Sequence, residues 1–237
     1  MEYISEDKNS TQVNPLQNNQ LVIPETLLAS GKGSRCELKT NNAIWRLGSL
    51  SFAKWPKINE FWLHSGSALY CSEYNQTVTF SSRNSQATFT GKGTILVEAL
   101  KNGGFKFIPL EAEGSLSTTK DGIIEVHDGR MLLVLDTPSY FGDAYDLDLL
   151  LLLKSSRLIN SYPTALPTFD QIGLAIYVQQ LKLKGKYDAL IGNAPTNEKL
   201  EVWAFGKNAP AGSDEVNTRA KTKHKRQFWT KFFSNEN

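Results

Sequence analysis

The feature that most constrains the fold is a rhythm of short β-prone runs between about Leu21 and Leu135. Runs rich in β-branched and aromatic residues are interrupted by Gly, Asn, Asp or Ser at intervals of about 8–12 residues, a spacing typical of an all-β domain. The predicted strands are Ser34–Lys39, Ala43–Phe52, Glu60–His64, Ala68–Tyr74, Thr77–Ser81, Ala87–Thr90, Thr94–Ala99, Gly104–Ile108, Gly122–Val126 and Met131–Leu135.

Two of these runs predict which faces of the sheet are buried. In Thr94–Ala99, the apolar residues Ile95, Val97 and Ala99 alternate with other residues and therefore share one face. Met131–Leu135 is apolar at every position, which is typical of a strand covered on both sides. We therefore expect a second layer to pack on this part of the sheet.

The pattern changes to helix after Tyr140. Asp143–Asn160 contains the leucine run Leu149–Leu153, with acidic residues early and basic residues late, the order that suits a helix dipole. A turn follows, and the spacing of Thr168–Gln171 then predicts a capping box that opens a second helix ending near Lys184. We predict two helices packed on the β domain, with the leucine run mostly buried.

Composition divides the chain into five parts. Residues 1–20 are polar and predict a disordered arm, and residues 21–136 form the β domain. The helical extension covers residues 137–205, and residues 206–218 are rich in Gly, Pro, Ala, Asn and Ser, which is typical of a linker. Residues 219–237 form a flexible basic tail with aromatic residues.

The net charge of the whole chain is only +2, but the segment Arg219–Lys231 contains six basic residues and no acidic one. Such a segment can lie on an anionic membrane surface or bind a nucleic-acid backbone, and a solvated tail whose aromatic residues dock on the parent domain is the alternative. The residues predicted to attach to a partner are Arg219, Lys221, Lys223, Lys225, Arg226, Phe228, Trp229, Lys231 and Phe232.

The histidines do not form a metal-binding pattern. His64 and His127 each lie beside turn residues in separate segments, and His224 lies in the tail. A cupin-type metal site would bring two histidines one residue apart together with a glutamate, and the sequence contains no such arrangement. We therefore predict no metal, no cofactor and no catalytic residues.

Other candidate reactive groups also have structural interpretations. Gly91–Thr94 resembles part of a phosphate-binding loop, but it precedes a strand rather than a helix, so we interpret it as a turn. Glu111 and Glu113 could act as a pair of general acids, although they lie on a face predicted to be exposed. Cys36 and Cys71 are expected to be free thiols, because the chain has too few cysteines for a disulfide framework.

The order of motifs between Gly33 and Leu135 resembles the FecR-like domain of bacterial sigma-factor regulators. Each motif is short, and the likeness lies in their shared order along about 100 residues. The matching segments are Gly33–Leu38 (GSRCEL), Ala43–Trp55, Phe61–Tyr70 (FWLHSGSALY), Val78–Ser82, Ala87–Gly91, Gly93–Val97 (GTILV), Ile108–Leu116 around Glu113-Gly114, and Glu125–Val134.

This resemblance implies an all-β architecture of stacked strands, either a β-sandwich or a solenoid-like domain, that acts through protein contact or ligand sensing without catalysis. The printed residues include no transmembrane helix and no N-terminal helical anti-sigma segment. The resemblance favours a periplasmic or membrane-associated protein, whereas the polar N-terminus favours a cytoplasmic one, so the compartment stays open. The family's turn positions fall on Gly66, Gly93, Thr94, Gly114 and Gly129.

Three functions are therefore compatible with the sequence. The favoured one is a mainly β, FecR-like binding or regulatory module, followed by two helices and the basic tail, with a protein partner. The second is an enzyme or carbohydrate binder with a β-sandwich or cupin-like cleft. The third is a nucleic-acid-binding protein that acts through the tail. The oligomeric state is not determined by the sequence.

Overall fold

The computed structural model describes residues 2–7, 10–183, 188–190 and 202–204, with side chains described from residue 14 to residue 181. The strands are β1 (Glu2–Asp7), β2 (Ser10–Pro15), β3 (Leu27–Ala29), β4 (Cys36–Lys39), β5 (Ile44–Leu47), β6 (Phe52–Lys57), β7 (Glu60–Ser65), β8 (Ser67–Ser81), β9 (Gln86–Ala99), β10 (Phe105–Thr118), β11 (Gly122–Glu125), β12 (Arg130–Leu135), β13 (Tyr140–Phe141), β14 (Tyr145–Asp146), β15 (Asp188–Leu190) and β16 (Val202–Ala204). The helices are α1 (Leu149–Ser155), α2 (Arg157–Asn160) and α3 (Phe169–Leu183). The prediction of a mainly β chain with helices after the β domain is confirmed.

The three long strands β8, β9 and β10 form the centre of the sheet, and they are antiparallel to one another. Along one edge of β8, its first half pairs with β5 and its last residues pair in parallel with β7. The rings of Trp45 in β5 and Phe61 in β7 lie 4.6 Å apart, so the two halves of the bent sheet face each other across an aromatic core. This arrangement gives the stacked, sandwich-like architecture.

The long strands bend where the sequence predicted turns. Ser72, Gly93 and Ala112 lie side by side in β8, β9 and β10. The pairing register is irregular close to them, after Ser72 in β8 and between Pro109 and Glu111 in β10. Gly93 has a φ of +121°, and a Cβ placed on it would lie 2.2 Å from the carbonyl oxygen of Glu111. Glycine is required because the neighbouring backbone occupies the space of a side chain.

Several sequence predictions are corrected by these bends. The predicted pair Ala68–Tyr74 and Thr77–Ser81 is one strand, and so is the pair Ala87–Thr90 and Thr94–Ala99. Gly91–Thr94 is therefore a bend inside β9 and not a turn between strands. Conversely, the single predicted strand Ala43–Phe52 divides into β5 and the start of β6.

The first residues also differ from the prediction. Residues 2–15 contain the β1–β2 hairpin, and β1 also pairs with β3, whereas the sequence analysis predicts a disordered arm over residues 1–20. The hairpin extends the edge of the sheet. Backbone pairing at a sheet edge does not require apolar side chains, so polar composition was a poor indicator here.

Alternating residues of the central strands enter two separate apolar cores. Tyr70, Ile95 and Val97 belong to the inner core of the bent sheet, and Leu69 and Leu96 belong to the outer core beneath the helices. The prediction that Ile95, Val97 and Ala99 share one face is confirmed. The residues of Met131–Leu135 also divide between the two cores, which confirms that β12 is covered on both faces.

The helical extension forms the second layer of the structure. The predicted helix Asp143–Asn160 begins later, after β14, and is interrupted at Ser156, which adopts an extended conformation between α1 and α2. Leu149 is buried, whereas Leu150–Leu153 are half-buried. The prediction that the leucine run is mostly buried is therefore correct only for its first residue.

We predict that Gly93→Ala destabilises the fold and that Gly173→Ala does not. Alanine at position 93 must adopt an unfavourable φ and displace the backbone of β10, which should cost about 2 kcal/mol or more. Gly173 lies within α3 with open space around its Cα, so alanine there should stabilise the fold by about 0.5–1 kcal/mol. Urea unfolding of both variants measures the difference, and equal stability of the two would contradict the proposed bend.

Candidate functional site

The orientation of α3 on the sheet is set by polar contacts at its start. The hydroxyl of Thr168 lies 2.5 Å from the hydroxyl of Thr94 in β9 and 3.6 Å from the sulfur of Cys71 in β8, and all three groups are buried. The Thr168 side chain therefore binds the sheet, and the predicted capping box with Gln171 is not among the described hydrogen bonds. The backbone of Thr168 still opens the helix, because its carbonyl accepts from the amide of Ile172.

Gln179 fixes the other end of the same helix face. Its side-chain amide donates to the carbonyl of Leu147 at 2.6 Å and accepts from the amide of Leu149 at 3.0 Å. These bonds satisfy the polar groups of a buried glutamine and hold α3 against the start of α1. A Cβ on Gly129 would lie 2.5 Å from the Gln179 amide nitrogen, so glycine at this turn leaves room for the contact.

The opposite face of α3 carries an apolar stripe in solvent. Leu174, Tyr177, Val178 and Leu181 follow the helical spacing i, i+3, i+4 and i+7, and we call them the α3 outer stripe. Each has between 37% and 62% of its surface exposed, whereas Ile172, Ala175 and Ile176 on the inner face are buried. A helix anchored on one side and apolar on the other is typical of a protein-binding surface.

This stripe is a candidate binding surface that the sequence analysis missed. That analysis predicted only that this helix packs on the β domain, which is the role of its inner face with Ile172, Ala175 and Ile176. The second set of apolar residues at helical spacing was visible in the same fifteen residues. A helix that is apolar on two faces is a signal for either complete burial or a binding surface, and only the packing distinguishes the two.

A second feature lies where α2 meets the β4–β5 hairpin. The Arg46 side chain is completely buried, and its Nε donates to a carboxylate oxygen of Glu37 at 2.9 Å. Its other nitrogens donate to the carbonyls of Leu158 and Ile159 in α2 and of Thr164 beyond it. This arginine therefore joins the edge of the sheet to the end of α2.

Tyr162 covers the same arginine and forms the wall of a small cleft. Its ring centre lies 4.3 Å from the guanidinium carbon of Arg46, and its hydroxyl lies 2.9 Å from the carbonyl oxygen of Leu47. Burial raises the pKa of Tyr162 to about 12, so the ring carries no charge at neutral pH. The cleft has a volume of about 140 Å³ and also includes Arg35 and Arg157.

The candidate catalytic groups do not converge in the part of the chain that the structure describes. His64 lies in β7 against the rings of Phe52 and Trp62, and His127 follows β11. Across these residues, no group of three or more His, Cys, Asp or Glu is placed to hold a metal ion.

The acidic residues on β10 have separate roles. Glu111 is half-buried, and this burial, with the charge of Asp128 as the second cause, raises the pKa of its carboxyl group. Glu113 pairs instead with Lys92 at 3.0 Å, and an Asp128 oxygen accepts from the amide of Ala112 at 2.8 Å. The prediction of an exposed face holds for Glu113 and is wrong for Glu111.

Both cysteines are free thiols, as the sequence analysis predicted. Burial raises the pKa of Cys36 to about 11, so its thiol stays protonated at neutral pH and is a weak nucleophile. Cys71 is buried beneath α3 next to Thr168. Neither cysteine therefore offers an activated nucleophile.

The turn positions taken from the family resemblance divide into two groups. Gly66 and Gly129 lie in turns before β8 and β12, with φ values of +81° and +71°. Gly93, Thr94 and Gly114 lie within β9 and β10, so they are bend positions and not turns.

The tail residues, from Arg219 to Phe232, lie outside the described residues, as do the predicted linker and most of residues 184–205. The attachment role of the tail therefore remains a prediction. Among the helices of the described part, none is long and apolar enough to cross a membrane.

Comparison with known proteins gives limited similarity. No protein-family model matches the chain, and no curated protein matches it. Two solved structures of a "putative anti-sigma factor" from Parabacteroides distasonis ATCC 8503 are similar, both at 6% identity. The first has a TM-score of 0.41, and the match covers 51% of this chain and 59% of the other chain. The second has a TM-score of 0.42, and the match covers 76% of this chain and 99% of the other chain. The chain thus spans 59% of the length of the first of them, and similarity of this size carries no argument about fold or function.

Proposed function

We propose that this chain is a non-enzymatic regulatory module that acts by binding another protein through the α3 outer stripe. The observation that carries the proposal is the exposure of Leu174, Tyr177, Val178 and Leu181 on a helix whose inner face is anchored to the sheet. Protein-binding helices commonly present apolar residues at this spacing to a groove or to a second helix.

The physical argument is the cost of leaving this surface in water. Burial of apolar surface is favourable by roughly 25 cal/mol per Å², so covering four such side chains can supply several kcal/mol to an interface. Tyr177 near the centre is the expected anchor, because tyrosine is enriched among the residues that dominate binding energy. Exposed polar residues at the start of α3, such as Asp170 and Gln171, would lie at the rim.

The regulatory part of the proposal comes from the resemblance of residues 33–135 to the FecR-like domain. Regulation through protein contact needs a rigid surface and does not need catalytic groups. The buried Arg46 and the bonds of Thr168 and Gln179 support a rigid surface, because they fix the helices relative to the sheet. The enzyme alternative is less well supported, because burial raises the pKa of the Cys36 thiol and no metal-holding group of His, Cys, Asp or Glu occurs among the described residues.

We predict that a photo-crosslinking amino acid at position 177 captures a specific protein partner in the native cell. Position 123 is the matched control, because Ile123 is an exposed apolar residue in a different element, β11. The double variant Leu174→Gln/Leu181→Gln should abolish the crosslink while leaving the melting temperature nearly unchanged, since both side chains are already exposed.

The proposal would be contradicted by the same crosslinked products at positions 177 and 123, or by no product at position 177. It would also be contradicted if the double variant kept the crosslink. Crosslinking of one copy to another would identify the chain itself as the partner, and size-exclusion chromatography with light scattering would then measure its oligomeric state.

A second proposal concerns the tail, which we propose attaches the module to an anionic surface. Six cations and four aromatic residues lie close together in the segment from Arg219 to Phe233. Lysine and arginine near an anionic layer each contribute about 1 kcal/mol, and aromatic side chains are stabilised at the headgroup level. A membrane surface satisfies both properties, and nucleic acid is the alternative target.

Deletion of residues 219–237 should leave the melting temperature nearly unchanged and reduce binding to vesicles that contain anionic lipid. The loss should be larger at low salt than at high salt, because screening weakens attraction between exposed charges. Vesicle sedimentation measures the binding, with neutral vesicles as the control and single-stranded DNA as the competing target. Unfolding of the truncated protein, or no binding by the full chain to anionic vesicles, would contradict the proposal.

A further inference from the structure

The cleft beside Tyr162 carries more positive than negative charge. Arg35 before β4 and Arg157 at the start of α2 both line it, and both residues are exposed to solvent. None of the described residues that line the cleft is Asp or Glu. The ion pairs of the described side chains, residues 14–181, include neither arginine, so no carboxylate of this part of the chain neutralises the two cations that line the cleft.

The neighbouring charges do not cancel this excess. Glu37 lies near the cleft, but its carboxylate is paired with Arg46 at 2.9 Å and with Lys39 at 3.2 Å. The Tyr162 ring is neutral at physiological pH, because burial raises its pKa to about 12. The guanidinium of Arg35 lies 5.8 Å from the centre of this ring, a cation–π contact that holds the arginine at the cleft.

The cleft also has hydroxyl donors and a small size. Ser34 and Ser161 line it, together with the backbone of the Gly33 and Gly48 loops. Its volume of about 140 Å³ is well below the roughly 300–1,000 Å³ typical of sites for drug-sized ligands. The part of the ligand that enters the cleft must therefore be a small group.

We propose that this cleft is a binding site for a phosphate group, held by Arg35 and Arg157 with Ser34 and Ser161 as additional donors. A phosphate monoester carries a charge of about −1.5 to −2 and three acceptor oxygens, which matches two guanidinium groups and the neighbouring hydroxyls. A carboxylate carries one charge and two oxygens, so it would leave one arginine unpaired. Guanidinium groups bind phosphate through paired hydrogen bonds, which favours arginine over lysine at such a site.

The site lies on α2 and the β4–β5 hairpin and does not include the α3 outer stripe or the tail. The proposal is therefore independent of the proposed protein-binding function. The phosphate group could come from free inorganic phosphate or from a phosphorylated side chain. These two sources are distinguished by comparing inorganic phosphate with O-phosphoserine.

The test is a titration of the full chain, observed through the NMR signals of the arginine Nε–H groups. The variants Arg35→Gln and Arg157→Gln assign the two signals. We expect both signals to shift saturably with inorganic phosphate or with O-phosphoserine, and to shift little with acetate at the same ionic strength. A stronger response to O-phosphoserine would favour a phosphorylated side chain over free phosphate as the source of the group.

Affinity should fall by about tenfold for each arginine replaced by glutamine, because a hydrogen bond to a charged group typically contributes about that factor. The double variant Arg35→Lys/Arg157→Lys keeps the charge and should bind with intermediate affinity. Lys57→Gln removes a cation outside the cleft, at the end of β6, and should leave the affinity unchanged. The tail is present in every variant, so its contribution cancels.

Three results would overturn the proposal. The first is the absence of a saturable shift of either arginine signal. The second is unchanged phosphate affinity in the double glutamine variant, which would assign the binding to other cations. The third is equal binding of acetate and phosphate, which would show a general attraction for anions. Both arginine side chains are exposed, so the variants should fold, and their melting temperatures check this directly.

Discussion

The buried guanidinium of Arg46 is the interaction on which the relation between the sheet and the helices depends. It lies opposite Glu37 across the β4–β5 pair, and it also binds carbonyl groups at the end of α2. A buried charge needs both a counter-ion and hydrogen bonds, and removing one partner of such a pair typically costs about 3–5 kcal/mol. This requirement favours the observed position of α2, where the carbonyl groups of Leu158 and Ile159 accept from the guanidinium.

The contacts of α3 depend on the same arrangement. The turn after α2 leads directly to Thr168, whose hydroxyl meets Thr94 on the outer face of the sheet. Thr94 points outward because the neighbouring residue Ile95 enters the inner core, and successive side chains in a strand alternate between faces. The bend at Gly93 therefore lies beside the residue that receives the helix, so the shape of the sheet and the docking of α3 are linked.

The polar chemistry of the molecule has two different characters. In the interior, Arg46, Thr168 and Gln179 have defined partners, which makes them structural groups. At the surface, Arg35 and Arg157 face one cleft without a carboxylate in its described lining, and the α3 outer stripe is apolar in solvent. Unpaired cations favour binding of an anion, and exposed apolar area favours binding of another apolar surface. The protonated thiol of Cys36 and the separated histidines offer no comparable basis for catalysis.

The sequence by itself determined the fold class, most of the strands and the existence of the helices after Tyr140. It also determined that β12 is covered on both faces. These properties depend on local composition and on the alternation of side chains, both of which can be read along the chain. The predictions were wrong where the local signal was ambiguous: glycines at mid-strand bends resembled turns, and the polar first residues resembled a disordered arm.

Only the tertiary structure decided which apolar face of α3 is buried and which cations share a cleft. Ile172 and Leu174 are equally apolar in the sequence, and the contacts of Thr168 and Gln179 turn one inward and the other to solvent. Arg35 and Arg157 are separated by more than a hundred residues in the sequence. They line the same cleft because Arg46 binds the end of α2 to the β4–β5 hairpin. Local patterns specify elements, but long-range contacts decide which surfaces remain available for binding.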